Sequence, residues 1–170
     1  MGVGLGYTLP ASLDRPDTVS VRFRFDSGFA LEPFVEAGTG SDEREDTFGI
    51  YDSKTTYDAY GVGVNARFPV ASRGRFDLLL LGNALFSHTD SDPSGDGGDV
   101  SSDYAALAWG LAIDWWITPH LAVSTSATNP LFEYFEHETA ENSNTSTTTS
   151  TAYVQLLFSP RVAVMAHLYF

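Results

Sequence analysis

Along this chain apolar residues return at every second position in eight separate stretches, the period of a strand whose two faces meet different surroundings. The first sets Val3, Leu5, Tyr7 and Leu9 against Gly4, Gly6 and Thr8, and the second sets Val19, Val21, Phe23 and Phe25 against Ser20, Arg22, Arg24 and Asp26. A third places Leu31, Pro33, Val35 and Ala37 opposite Glu32, Phe34 and Glu36, with Pro33 arguing for a bulge. The fourth is the most regular: Tyr60, Val62, Val64, Ala66 and Phe68 oppose Ala59, Gly61, Gly63, Asn65 and Arg67. The sixth runs Leu107, Trp109, Leu111, Ile113, Trp115 and Ile117 against Ala108, Gly110, Ala112, Asp114 and Trp116. The fifth, about Phe76 to His88, contains the unbroken run Leu78 to Leu81, which leaves its outward face open.

The seventh strand starts at Leu121 and extends to about Glu136, and the eighth runs from about Thr151 to Phe170. Both are longer than the roughly 9–11 residues that cross a membrane. Asn129-Pro130 and Ser159-Pro160 could break them as turns; we read both as bulges, which holds the count at eight. Between strands, short connections at 26–28, 69–75 and 118–120 alternate with longer polar stretches at 10–17, 39–56, 89–103 and 137–150. Short turns at one end and long loops at the other are the asymmetry of a membrane barrel.

The closing stretch alternates to the last residue. Val162, Val164, Ala166, Leu168 and Phe170 form an apolar row, backed by Arg161, Ala163, Met165, His167 and Tyr169. Composition agrees with one domain spanning 1–170: 43% of residues are hydrophobic, 14% are aromatic and none is cysteine, which excludes disorder, disulfides and thiolate metal sites. No run approaches the roughly 20 apolar residues of a membrane helix, and a near-neutral mean hydropathy of -0.09 is what alternating strands give whether or not they meet lipid. Most of the 22 acidic residues fall in the long connections. The net charge of -13 excludes nucleic acid as a partner.

With these strands in order, the chain resembles the small eight-stranded outer-membrane barrels of the OmpA, OmpX and OmpW type over essentially its full length. The residues that carry the likeness are Tyr60-Gly61-Val62-Gly63-Val64-Asn65-Ala66-Arg67-Phe68, the Trp115-Trp116-Ile117-Thr118-Pro119-His120 turn, and Ser159-Pro160 to the terminal Phe170. The resemblance implies an all-β, eight-stranded antiparallel up-and-down transmembrane barrel with short periplasmic turns and longer extracellular loops. It implies an integral place in the bacterial outer membrane among lipid and lipopolysaccharide. The row Val162, Val164, Ala166, Leu168 and Phe170 would be the signal read by the barrel-assembly machinery. No globular domain is expected after the barrel, so peptidoglycan binding is not inferred. The start, Met1-Gly2-Val3-Gly4-Leu5-Gly6-Tyr7, has no basic leader or cleavage site. The expectation is an export signal already removed, with a cytoplasmic protein as the competing account. A monomer is favoured. A soluble lipocalin-type barrel is the rival fold, and it would reverse the two faces.

If the apolar rows meet lipid, Arg22, Arg24, Glu32, Glu36, Asn65, Arg67, Asp114 and His167 point into the lumen. Charges in so narrow a bore must pair, with Arg22 or Arg24 expected to meet Glu32 or Glu36 across the adjoining hairpin. The expected result is a plugged lumen and a structural or surface-interaction role; a narrow porin-like channel is the alternative. Asp90, Asp92, Asp96 and Asp99 lie among glycines in a loop where a Ca²⁺ ion could bind, although the full ligand order of an EF-hand is missing. No cofactor beyond that is expected. A lipid A-modifying enzyme is a third class, with Ser87-His88, Ser126 and Glu136-His137-Glu138 as its candidates. None has the base and orienting group that a nucleophile needs, so the chain is read as not an enzyme. The Ser/Thr/Asn tract from Asn142 to Thr149 reads as a mobile loop, or as an edge that pairs with another chain.

Overall fold

A computed structural model describes residues 1–8, 17–45, 52–93, 100–142, 145–154 and 160–170. Nine strands are formed: β1 (Gly2–Thr8), β2 (Asp17–Arg24), β3 (Ala30–Glu45), β4 (Asp52–Arg73), β5 (Phe76–Pro93), β6 (Val100–Thr118), β7 (Leu121–Asn142), β8 (Thr145–Val154) and β9 (Arg161–Tyr169). Each pairs antiparallel with its neighbour from β1 through β7, and β9 then joins β7 to β1. The result is a closed barrel of eight staves, with β8 as one further strand. Among the described residues no helix is long and apolar enough to cross a membrane.

β8 and β9 lie on the same edge of β7: Phe132 faces Val154 and Thr128 faces Arg161. Both run antiparallel to β7, so the chain does not reverse at Pro160. At Pro130 the register of β6 against β7 slips between Leu107 and Ala108, leaving Leu131 as the extra residue of a bulge. Proline is tolerated there because the bulge asks for no N–H. Pro33, by contrast, makes no bulge. Its register with Val64 is unbroken, and the missing N–H shows instead on the β2 side, where pairing drops out between Ser20–Phe34 and Phe23–Leu31 without a shift.

The connections are shorter than sequence suggested. The stretch 69–75 narrows to the two-residue turn Gly74-Arg75, where only Gly74 has a positive φ, 63°, as a type II′ hairpin requires. At the other end much of 39–56, 89–103 and 137–150 continues as paired strand, so that β4 and β7 reach 22 residues each. Above the level where β2 ends against Ala37, strands β3 to β8 go on as an open six-stranded sheet.

The barrel is apolar outside and polar inside. Val3, Leu5, Val19, Val35, Val62, Leu107, Leu111, Ile113, Leu168 and Phe170 are exposed on the wall, while Ser20, Arg22, Glu32, Arg67, Asp114, Ser124 and His167 are buried. This excludes the lipocalin-type arrangement. In the Leu78–Leu81 run, Leu79 and Leu81 face inward and Leu80 outward.

Candidate functional site

Six strands each send one polar side chain or more to the middle of the bore. Arg22 donates from Nη2 to Glu32 Oε2 at 3.1 Å and from Nη1 to Asp114 Oδ2 at 2.8 Å. Arg67 Nε reaches the same Glu32 oxygen at 2.7 Å, and its Nη1 lies 3.5 Å from Asp114. Ser124 donates to Asp114 and accepts from both arginines. Glu32 Oε1 takes Ser20 at 2.7 Å and His167 Nε2 at 2.6 Å. Arg22, Glu32, Arg67 and His167 are each at most 1% exposed.

Two guanidiniums therefore face two carboxylates, and the charge closes without His167. The tautomer carrying its proton on Nε2 serves Glu32 and leaves Nδ1, which has no partner among the described residues, free of a buried proton. Pairing at this density is required, since a lone charge in so dry a place is strongly unfavourable. Room for it comes from β1: a Cβ on Gly6 would lie 2.3 Å from Ser20 Oγ and 2.6 Å from the His167 ring.

Below the network Arg24 meets Asp77 at 3.1 Å, not the β3 glutamates, and stacks 4.8 Å over Trp116, whose indole N–H donates to Asp77 at 2.8 Å. A cavity of about 190 Å³ opens here, bounded by Arg24, Asp77 and Tyr169. Above the network lies a second cavity of about 220 Å³, lined among others by Phe34, Glu36, Asn65, Arg67, Asn83 and Met165. Asn83 donates to Asn65 at 2.8 Å across its wall. Higher still, Arg161 and Tyr104 both donate to the buried Glu133, at 2.6 Å each.

Ser20, Asp77, Ser124, Glu133, Tyr104 and Arg161 were not singled out from sequence as parts of these clusters. Ser20 and Ser124 had a visible signal, since they alternate with outward residues on the strands of Arg22 and Ser126. Asp77 had none, because the leucine run beside it hides the period.

The other candidates lie apart. Ser87 and His88 are consecutive in β5 and point to opposite faces. His88 sits on the outer wall beside Tyr60, bonded to Asp103 at 2.5 Å and Asp90 at 3.0 Å. Ser126 faces the upper cavity, and His137 bonds Ser102 at 2.8 Å. Among the described residues no group of three or more His, Asp or Glu side chains is placed to hold a metal ion. Asp90 and Asp92 belong to β5; Asp96 and Asp99 lie outside the described residues.

A closed antiparallel barrel with an apolar wall and a charged interior has the fold of the outer-membrane β-barrels. The chain matches a major outer membrane protein from Thermus thermophilus over 99% of its own length and 98% of that chain, with a TM-score of 0.63 at 9% identity. It also aligns with CarO of Acinetobacter baumannii (TM-score 0.47, 11% identity, 99% and 96% covered). A third alignment is with Ail, the attachment invasion locus protein of Yersinia pestis (TM-score 0.44, 13% identity, 99% and 94% covered). At these identities the likeness is one of fold. No family model and no curated protein matches the sequence.

Proposed function

We propose that this is an integral outer-membrane barrel with a sealed bore, which acts through its exterior as a structural and surface-interaction protein. The observation that carries the proposal is the network of Arg22, Glu32, Arg67, Asp114, Ser124 and His167, which joins six staves across the bore. An ion entering from either side would have to break these buried pairs. The apolar wall and the fold likeness support lipid and lipopolysaccharide as the surroundings. At the seam between β1 and β9, the outward row Val162, Val164, Ala166, Leu168 and Phe170 is where assembly factors would engage. A closed wall leaves no strand edge free at membrane level, which favours a monomer.

The interaction surface in this proposal is the upper sheet. One of its edges, β8, reads Thr-Ser-Thr-Thr-Thr-Ser-Thr-Ala-Tyr-Val, without a charge, proline or glycine. The opposite edge ends in Asp42, Glu43, Arg44 and Glu45. Strand edges are ordinarily guarded by charge, and an unguarded one suits the addition of an extended peptide.

The test is conductance of the refolded protein in a planar bilayer. The expected result is silence, with current appearing when Glu32 is replaced by Ala. Discrete wild-type openings that respond to Arg22→Gln would make the protein a narrow pore instead.

A further inference from the structure

Four carboxylates facing the barrel interior have a donor bonded to them. Glu32 holds Arg22, Arg67 and His167; Asp114 holds Arg22 and Arg67; Asp77 holds Arg24; and Glu133 holds Arg161. Glu36 is the exception among the described inward carboxylates. It stands above the network, on the wall of the 220 Å³ cavity, with no hydrogen bond or ion pair to any described residue. Arg67 also borders this cavity, but its charge is already committed, with Nε on Glu32 at 2.7 Å and Nη1 on Ser124 at 3.1 Å.

The space around Glu36 is made by the sequence. Gly61 lies directly opposite Glu36 in the β3–β4 register, and a Cβ there would meet Glu36 Oε1 at 2.7 Å. The carboxylate thus lies against bare backbone beside the cavity. Of the remaining lining, Thr18, Asn65 and Ser126 are among the residues that supply oxygens, while Phe34, Leu81 and Met165 supply apolar surface.

A half-buried carboxylate beside a cavity, without a bonded partner among the described residues, gains from a cation brought in from outside. An apolar wall with an aromatic ring beside it does not suit a hydrated metal ion. It suits a short carbon chain with an ammonium head, which gains a charge-assisted bond at the carboxylate and contact with the Phe34 ring. We propose that the upper cavity is a binding site for a small organic cation, a primary alkylammonium, with Glu36 as its anchor. The ligand enters from the open-sheet end and stops at the network, so the site is a dead-end pocket and does not require a conducting bore.

The test uses the full refolded chain in detergent micelles, with n-butylammonium chloride as the probe and KCl at matched ionic strength as reference. The side-chain amide resonances of Asn65 and Asn83 are followed by NMR. The expected result is a saturable shift with butylammonium only, weakened at least about tenfold in Glu36→Gln. Glu36→Asp, which keeps the charge but draws it back by one methylene, should bind more weakly than wild type, and Phe34→Leu should weaken binding without abolishing it. A linear, unsaturating shift, an equal response to KCl, or a Glu36→Gln titration matching wild type would each overturn the proposal. Should Glu36→Gln fail to fold, Glu36→Asp titrating as wild type would overturn it equally.

Discussion

His167 and Glu32, separated by 135 residues, meet at 2.6 Å with neither side chain reached by solvent. The contact ties the last strand of the wall to the third and brings Glu32 its third cationic or N–H partner. The two residues should nevertheless differ in what their loss costs. Glu32→Ala leaves two guanidiniums facing one carboxylate and should destabilise the barrel by about 3–5 kcal/mol. His167→Ala removes a neutral donor and should cost less, about 1–3 kcal/mol. Urea titrations of the protein folded into lipid vesicles would rank them, and an equal or reversed order would contradict the charge balance described above.

Gly6 gives a steric prediction. A methyl group there meets Ser20 and the His167 ring at less than contact distance. Gly6→Ala should therefore destabilise by about 1–3 kcal/mol, as overpacking does. Adding Ser20→Gly should recover part of that loss, read in the same titration. No recovery would mean that the strain lies on the histidine side.

His88 stands above the apolar belt, where acidic residues take over the outer wall. The hydrogen bond with Asp103, helped by Asp90, raises its pKa above the ordinary value. The stabilisation this represents is complete below the unfolded-state value of about 6.5 and fades as pH rises through the folded-state value. An NMR titration of the His88 ring should show the raised value, and Asp103→Asn should bring it down. His88 is half-buried but its partners Asp90 and Asp103 are exposed, so the change in stability should be small and should shrink with salt.

The unguarded β8 edge predicts concentration-dependent association. Placing lysines at Thr147 and Thr149 should lower light scattering of the refolded protein while leaving its heat-modifiable gel shift unchanged. Scattering that persists would place the sticky surface elsewhere.

The wall of the barrel was legible because lipid and bore impose opposite demands on neighbouring residues. Leu107 to Ile117 alternate with Ala108 to Trp116, and a strand between those two surroundings satisfies both faces. Where both faces meet water that demand lapses. Residues 39–45 and 137–142 therefore read as loop although they are strand. Leu78 to Leu81 failed for the opposite reason, since the bore accepts Leu79 and Leu81 as readily as the membrane accepts Leu80. The inward row identified Arg22, Glu32, Arg67 and Asp114 as neighbours in kind. Arg22 with Glu32 was among the pairs expected across the adjoining hairpin, but its bond to Asp114 was not legible, because the two lie 92 residues apart and meet only when the wall closes.

That closure depends on the last strand. β9 brings both the seam with β1 and the histidine that completes the partners of Glu32. Without it, β2, β3, β4 and β6 would carry charges toward a bore that is not closed. A chain stopped at Ala166 would lose the seam pairs Gly6–His167, Leu5–Leu168 and Gly4–Tyr169 together with that histidine. Closing the wall and completing the buried network thus rest on the same few residues.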